Sequence, residues 1–324
     1  MPFVTQKERA MNTTRNKILV AIDFEEQSLN ALEHSYELAR LFDAELVLLY
    51  VIEVANVFGK LRSPDDYVKK VIEEAREKFD ELEKLASTAK EGGSVKTTVL
   101  IEKGKPYEKI IETARDYEVL MIVMGKNSVS SAGKSHKFIG NNTMSVVRDA
   151  HCPVITIMDK TASPGKYTRI LLPLDFTQQT KKQVQKAIEF GGYFGARIFV
   201  LSVVTGDNKV TKLLKQVQIN QVKNAIQKHG IQCETEMIYE KDGVVADIAL
   251  QYCQTIKADL IIIMTQQKKS FVNYYVGSTA QEIINSSHTP VLSIIPTAEF
   301  KPGVVTSMVD PLGLMKKNRE EPED

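Results

Sequence analysis

The residues Gly125 to Thr143, GKNSVSSAGKSHKFIGNNT, combine glycines, hydroxyls and lysines directly behind the apolar run VLMIVM. Glycines let a phosphate approach the backbone closely, because no side chain stands in the way. A strand that leads through such a loop into the N-terminus of a helix is a common setting for anion binding. The stretch therefore predicts a candidate phosphate loop, and the elements around it decide which kind.

Two other interpretations of this stretch compete with a phosphate loop. Ser128, Gly133, Lys134 and Ser135 imitate the P-loop pattern G-x4-G-K-[ST]. However, the first glycine is a serine and no helical stripe starts at Lys134, so we regard the match as coincidental. The alternative that stays open is a polar loop without a ligand, in which Gly140 only turns the chain into a helix.

The elements that must position this loop come from an internal repeat. The segment KILVAIDFEEQ, starting at Lys17, pairs without a gap with RILLPLDFTQQ, starting at Arg169. Further on, EVLMIVMGKN pairs with ADLIIIMTQQ, and IGNNTMSVVRDAHCPVITIM pairs with VGSTAQEIINSSHTPVLSII. Buried-type apolar runs alternate with helical patterns in each half, as in a mainly parallel sheet with helices on both faces. The sequence therefore predicts an α/β fold of two tandem five-stranded units.

The domain limits follow from this repeat and from the composition of the connecting segments. We expect a flexible N-terminus over 1–15, domain 1 over 16–160, a linker over 161–166, domain 2 over 167–297 and a partly disordered tail over 298–324. In domain 1 we expect strands at Lys17–Ile22, Glu45–Val51, Val95–Ile101, Val119–Met124 and Pro153–Ile157. Helices are expected between them, one capped by Ser63 and stopped at Gly92, and the long helix of domain 2 is expected at Lys209–Lys228.

Composition excludes several classes of function. The net charge of +1 over 324 residues does not indicate the basic surface that nucleic-acid binding requires. No apolar run is long enough for a membrane span. The N-terminus lacks the apolar region of a signal peptide. Three cysteines, Cys152, Cys233 and Cys253, are expected to be small buried hydrophobes in a reducing cytoplasm.

The histidines and loop lysines carry weaker signals. The histidines form no metal-spaced or nucleophile–base cluster, so we expect surface or capping roles for His34, His136, His151 and His288. The lysines of the loop could neutralise phosphate, but solvated surface positions are the expectation for Lys126, Lys134 and Lys137.

Taken together, the ILVAIDF and ILLPLDF openings, the helix order and the Gly-helix-Pro-Val endings resemble a tandem universal stress protein. The resemblance covers about residues 16–158 and 168–296. It implies two Rossmann-like, adenine nucleotide alpha hydrolase-like sheets of strand order 3-2-1-4-5 that pair through their fifth strands. It also implies that nucleotide-binding members carry a loop of the form Gly-x2-Gly-x9-Gly-(Ser/Thr) after strand four.

The topology and the resemblance point to the same candidate site. In such a sheet the strand order reverses between strands one and four, and a crevice opens at their carboxyl ends. The implied binding residues are Ala21, Asp23, Val51, Gly125, Gly140, Asn141 and Thr143 in the first repeat, with Pro173, Asp175, Val203, Gly277, Ser278 and Thr279 in the second.

Both phosphate loops depart from the family pattern. In the first repeat Ser128 stands at the second glycine, Asn141 replaces the hydroxyl residue, and the loop is longer than the pattern. In the second, Thr265 is expected at the first glycine and Lys268 at the second. The tract QQKKSFVNYY could fill the crevice, or Lys268 and Lys269 could reach an anion at Ser278. Asp23 and Asp175 also have an alternative role, as caps of the helices that follow them.

The resemblance and the residues together lead to one expected function and two rivals. We expect a cytoplasmic stress-response protein that binds ATP or another adenine nucleotide, with Mg²⁺, for regulation rather than catalysis. One rival is a nucleotide-independent interaction scaffold with degenerate loops, and the other is an adenylate-forming or ATP-splitting enzyme. We expect the two domains to pair with each other within the chain, and we expect an unidentified protein as a further partner. A homodimer is left open, and neither nucleic acid nor a membrane is an expected partner.

Overall fold

A computed structural model of the chain describes residues 16–53, 64–88, 95–126, 128–129, 138–139, 141–176, 180–205, 209–240, 243–265, 267–268 and 274–295. The expected flexible N-terminus lies outside these residues, as does the tail from residue 296 onward. Ser63, Gly92, Lys134, His136, Lys137 and Gly140 also lie outside them.

The first repeat alternates strands and helices as the apolar periodicity predicts. Its strands are β1 Asn16–Ala21, β2 Ala44–Ile52, β3 Thr97–Lys103, β4 Met121–Gly125, β5 Ser128–Val129, β6 Phe138–Ile139 and β7 Val154–Ile157. Its helices are α1 Glu26–Leu41, α2 Pro64–Thr88, α3 Pro106–Asp116 and α4 Asn141–Asp149. The predicted elements differ from these by one or two residues at their ends, where propensity and hydrogen bonding define a boundary least sharply.

The second repeat has the same order of elements. Its strands are β8 Arg169–Pro173, β9 Arg197–Val204, β10 Cys233–Tyr239, β11 Leu260–Met264, β12 Gln267–Lys268, β13 Tyr274–Tyr275 and β14 Val291–Ile294. Its helices are α5 Thr180–Phe194, α6 Lys209–Lys228, α7 Val245–Thr255 and α8 Ser278–Ser286. Two short antiparallel hairpins, β5–β6 and β12–β13, lie in the loops after the fourth main strand of each repeat and are not predicted by the sequence patterns.

The ten main strands form one continuous sheet in the order β10-β9-β8-β11-β14-β7-β4-β1-β2-β3. Each half of this order is 3-2-1-4-5 with all neighbours parallel, so the predicted fold class is confirmed. The halves meet where β14 pairs antiparallel with β7, with Leu292 opposite Ile155. The fifth strand of each repeat therefore pairs with the open edge of the other, and the two repeats pair within one chain.

Hydrophobic side chains of alternating strand positions fill the space above and below the sheet. In β1, Ile18 and Val20 join a core that includes residues of α1, α2, α5 and α6, whereas Leu19 joins a second core with residues of α3, α4, α7 and α8. This alternation follows from the two-residue period of a strand, and it gives a three-layer structure with helices on both faces. None of the helices in the described ranges combines the length and apolarity that a bilayer crossing requires.

The connection between the repeats is held on α1 by a buried histidine. His34 is only 1% exposed, and its Nδ1 accepts the Gly165 N–H at 2.9 Å and lies 2.9 Å from the Tyr167 hydroxyl. Because the backbone N–H can only donate, the proton of the neutral ring lies on Nε2, which is 3.1 Å from Thr161 Oγ1. The expected surface or capping role of His34 is therefore wrong, since the following repeat covers that position of α1.

Gly165 shows how closely this connection approaches α1. Its φ is +69°, and a Cβ at this position would lie 2.5 Å from the His34 carbonyl oxygen. Only glycine combines that left-handed backbone with so close a contact. The connection therefore follows one defined path over α1.

Candidate functional site

The carboxyl ends of β1 and β4 form the rim that the topology selects. The two strands pair in parallel from Ile18 opposite Met121 to Ala21 opposite Met124, so Asp23 and Gly125 follow at the same edge of the sheet. A Cβ on Gly125 would lie 2.5 Å from the Gln27 carbonyl carbon and 2.6 Å from the Ser28 nitrogen. The glycine is thus required by the first turn of α1, which packs directly on the end of β4. The structure thus gives Gly125 a packing role, and the phosphate approach that the loop pattern suggested stays a prediction.

Asp23 lies exposed at this rim, within a local network at the start of α1. Its Oδ1 accepts the Glu25 N–H at 3.0 Å, and its own N–H donates to Ser28 Oγ at 3.3 Å. The Ser28 hydroxyl donates in turn to the Glu25 carbonyl at 2.9 Å. One carboxylate oxygen of Asp23 thus supports the turn before α1. The predicted alternative of a capping aspartate is wrong for Asp23, because the N-cap residue of α1 is Glu25 and the cap has no side-chain hydrogen bond. Among the described residues no donor reaches Oδ2.

An unusual turn places the chain between β1 and α1. Phe24 has a φ of +65°, and Phe176 at the matching position of the second repeat has a φ of +56°. A left-handed phenylalanine is disfavoured, so surrounding contacts must stabilise it. The Phe24 ring provides such contacts, with ring centroids 4.9 Å from Phe79 and 5.2 Å from Tyr50. Sequence reasoning noted the Asp-Phe pair only as part of the repeat and missed this turn.

The other candidate positions of the first repeat lie on the opposite face of the sheet. Ala21 and Val51 are half-buried and pack on the core of the α3–α4 face, as Tyr107 and Met144 also do. Val51 follows its strand to the same carboxyl edge, because β1 and β2 are parallel and paired. The rim thus combines a partly open apolar surface with the polar Asp23 turn, as small-molecule sites usually do.

The N-terminus of α4 completes this edge. Thr143, in the first turn, is 5% exposed, and its Oγ1 lies 3.5 Å from the Gly125 carbonyl oxygen. The helix start and the end of β4 are therefore neighbours, and the free amides of a first helical turn favour anions. Asn141 is the first residue of α4, while Gly140 lies outside the described residues.

Lys126 does not have the predicted surface position. It is 1% exposed, and its Nζ donates to the Ile284 carbonyl at 2.6 Å and to the Ser287 carbonyl. Both carbonyls lie at the C-terminal end of α8, where helix carbonyls lack intrahelical partners and the helix dipole is negative. The prediction of a solvated lysine failed because the partner helix belongs to the other repeat, 158 residues away in sequence.

The strand register corrects the predicted match between the two loops by one residue. Ile122 lies opposite Val154 in the first repeat, and Ile261 lies opposite Val291 in the second. Because the ends of the repeats match at those valines, Met264 corresponds to Gly125 and Thr265 to Lys126. The expected threonine at the first glycine is therefore wrong. A methionine side chain therefore occupies the position at which Gly125 leaves room for the first turn of α1 in the first repeat.

The candidate residues of the second repeat lie at the equivalent edge but in a different setting. Pro173 ends β8, its carbonyl accepts Gln183 Nε2 at 3.0 Å, and Asp175 is exposed two residues later. Val203 is 8% exposed, less than its half-buried counterpart Val51. Gly277, Ser278 and Thr279 start α8, which has no side-chain hydrogen bond at its cap residue Gly277.

The remaining titratable groups do not form a reactive centre in the described part of the chain. All three cysteines are free and buried, and burial raises the pKa of Cys152 to about 12 and that of Cys233 to about 11. Burial also lowers the pKa of His151, with Arg115 as a further cause. Among the described residues, no three His, Cys, Asp or Glu side chains come together as a metal site.

Comparisons with known proteins agree with this architecture. The model of the universal stress protein family matches residues 14–157 and 166–294. Universal stress protein MJ0531 from Methanocaldococcus jannaschii is 30% identical over 142 residues, which are 44% of this chain and 81% of that protein. The structure of a universal stress protein from Archaeoglobus fulgidus aligns with a TM-score of 0.68 at 22% identity, over 88% of this chain and 100% of its own.

A further universal stress protein from Archaeoglobus fulgidus has been solved in complex with dAMP. It covers 40% of this chain and 98% of its own at 18% identity, with a TM-score of 0.33. The two family matches, one for each repeat, extend over most of the sequence. The chain therefore belongs to the universal stress protein family, with two family domains in tandem.

Proposed function

We propose that this protein is a cytoplasmic stress-response regulator that binds one adenine nucleotide, at the carboxyl edge of its first repeat. The observation that carries the proposal is the convergence of Asp23, Gly125 and Thr143 where the strand order reverses. The Thr143 amide region offers an anion site, and the surface around Val51 offers an apolar support for a base. That a family member has been solved with dAMP is consistent with this class of ligand.

The donor set also fits Mg²⁺ carried by a nucleotide. Mg²⁺ is usually bound by one or two carboxylates together with substrate phosphates and waters, and Asp23 provides one exposed carboxylate at this rim. Oδ2 is the oxygen that would hold the ion, since Oδ1 accepts the Glu25 N–H. When bound, Mg²⁺ would neutralise phosphate charge, while Asp23 and the start of α4 would orient the nucleotide.

The proposal concerns binding and not turnover. Among the candidate residues of the first repeat, Asp23 is the one titratable side chain, and the turn before α1 already engages it. A general base needs a free position against the attacking group, and ATP hydrolysis would need such a group near the terminal phosphate. We therefore expect regulation through occupancy, in which a bound nucleotide changes the surface that the carboxyl edge of the first repeat presents to a partner.

The second candidate function is that of a scaffold that binds no nucleotide. Features of the second repeat favour this function for that half of the chain. Met264 replaces Gly125 at the rim, and Val203 is more buried than Val51. Both changes reduce the space for a ligand next to β8 and β11. We therefore propose a binding site in the first repeat and a structural role for the edge of the second.

Matched variants test the proposal. Asp23→Asn keeps an oxygen that accepts the Glu25 N–H but removes the charge, so it separates ligand binding from the turn. We expect purified wild-type protein to release adenine nucleotide on denaturation or to bind added Mg·ATP. Asp23→Asn should weaken that binding at least about tenfold, the effect of losing roughly 1.4 kcal/mol, and Asp175→Asn, the control, should not. Absence of both co-purified and added nucleotide would reject the proposal in favour of the scaffold.

A further inference from the structure

The outer face of helix α6 is apolar where a solvent-exposed helix face is normally polar. Four aliphatic side chains at helical spacing are largely exposed: Val210 at 64%, Leu213 at 68%, Leu214 at 60% and Val217 at 53%. Residues at spacing i, i+3, i+4 and i+7 share one side of a helix, so these four form one continuous stripe. We call them the α6 stripe.

The first half of α6 is inverted relative to an ordinary amphipathic helix. Lys212 and Lys215 are half-buried, while the leucines between them face outward. Further along, Ile219 and Ile226 are buried in the usual way against the sheet. Such an inversion costs free energy in water unless another surface covers the apolar residues.

The matching helix of the first repeat shows no such feature. Along the described part of α2 the exposed positions are mostly charged, among them Glu73, Glu77 and Lys78. Phe79 and Val68 point inward. The α6 stripe is therefore specific to the second repeat and does not follow from the fold.

Two further exposed apolar residues extend the stripe toward the neighbouring strand end. Tyr239, at the end of β10, is 47% exposed, and its ring centroid lies 4.9 Å from Lys212 Nζ on α6. Val244, which precedes α7, is 56% exposed. Tyr239 thus lies beside α6 at the carboxyl end of β10, and Val244 follows that strand in sequence.

We propose that the α6 stripe is the docking site of residues 304–314 of the same chain, VVTSMVDPLGL. Six of these eleven residues are apolar, and they lie in the segment that follows β14. Helix α6 carries five lysines and no acidic residue, whereas residues 296–324 carry six acidic and four basic residues. The charges are thus complementary as well as the apolar surfaces.

The chain path makes this contact reachable. Strands β14, β11, β8 and β9 are parallel neighbours, so β14 ends at the same edge at which α6 begins. Three strand spacings of about 4.8 Å separate β14 from β9, or roughly 14 Å. The nine residues from Ile295 to Val304 can extend over about 30 Å. The segment therefore reaches the α6 stripe without any change in the sheet.

The size of the surface favours a short segment over a second copy of the chain. From Val210 to Val217 the α6 stripe is about 11 Å long. A standard protein interface needs about 800 Å² on each partner, contributed by some 20–30 residues. Six exposed apolar residues provide much less than that, but they match the apolar side chains of a single peptide.

Cysteine labelling tests the docking in the full-length chain. In Leu214→Cys the new thiol lies on the stripe. The native thiols of Cys152, Cys233 and Cys253 interfere little, because all three are buried and burial raises the pKa of each. We expect maleimide to label Leu214→Cys at least about tenfold more slowly than the control Glu77→Cys on α2, as a covered site exchanges through rare openings. Adding Val305→Asp and Leu312→Asp should restore fast labelling of Leu214→Cys and leave the control unchanged.

A crosslink distinguishes the occupants of the surface. In Leu214→Cys with Leu312→Cys, mild oxidation should give a disulfide within one chain, seen as the loss of two free thiols while the protein still runs as a monomer on a non-reducing gel. A disulfide-linked dimer, or labelling that slows with protein concentration, would show that a second copy covers the stripe and would overturn the proposal. Labelling of Leu214→Cys as fast as that of Glu77→Cys, without Val305→Asp and Leu312→Asp, would overturn the proposal as well.

Discussion

The neutral state of His34 gives the structure a defined dependence on pH. Burial lowers the pKa of His34 from 6.5 to about 4, because water cannot solvate the charged ring. Protonation would also place a proton on Nδ1, which faces the Gly165 N–H donor. The unfolded chain therefore binds more protons than the folded one between pH 6.5 and about 4. Stability that is fully present above pH 6.5 is lost as the pH falls through that window.

The size of the effect follows from the two pKa values. A difference of one pH unit in pKa corresponds to about 1.4 kcal/mol, so the full loss below pH 4 is roughly 3 kcal/mol. At pH 5, where a free histidine is almost fully protonated and His34 is not, the loss is about 2 kcal/mol. This change is a large fraction of the free energy of unfolding of an ordinary domain.

Urea unfolding of wild type and His34→Asn between pH 7.5 and 4.5 measures this effect. The asparagine amide oxygen can accept the Gly165 N–H but does not titrate. Carboxylates contribute equally to both proteins, so the difference between their pH profiles isolates the histidine. We expect wild type to lose about 2 kcal/mol more than His34→Asn between pH 7.5 and pH 5. Parallel profiles would refute the reasoning, because they would mean that protonation of His34 has no cost in the folded chain.

Two further substitutions test packing at the rim and at the junction of the repeats. Gly125→Ala should lower the free energy of unfolding by roughly 1–3 kcal/mol, since its Cβ would lie 2.5 Å from the Gln27 carbonyl carbon; an unchanged urea midpoint would contradict this. Lys126→Met keeps the aliphatic stem but leaves the Ile284 carbonyl without its donor. We expect a loss of roughly 1–3 kcal/mol for this variant in thermal or urea unfolding, and equal or greater stability would disprove a stabilising role for the ammonium.

Much of the fold could be predicted, because its signals are local. The run Ile18–Ile22 is apolar throughout, which indicates a strand covered on both faces, and Pro64 followed by acids marks a helix start. The duplication then fixes the strand order in both halves once it is known in one. The limits of α6 follow from its sequence to the residue.

The features that were missed depend on contacts between distant parts of the chain. His34 and Lys126 look like surface residues on their own elements, and they become buried because the second repeat packs on them. The one-residue error at Met264 arose because the two apolar runs, rich in Leu, Ile and Met, can be aligned in sequence equally well at two offsets. The hydrogen-bonded register of β11 in the sheet shows which alignment is correct. The outward orientation of Leu213 and Leu214 is equally a tertiary property, since the helical period alone does not say which stripe faces the sheet.

The most direct test of the proposed function is the number of nucleotides bound by each chain. Equilibrium dialysis of the full-length protein with radiolabelled ATP and Mg²⁺ should give one nucleotide per chain. The affinity of that site should fall at least about tenfold in Asp23→Asn and be kept in Asp175→Asn. Two nucleotides per chain, or one whose affinity is kept in Asp23→Asn and falls in Asp175→Asn, would contradict a site in the first repeat. No bound nucleotide at saturating ATP would contradict the binding function itself.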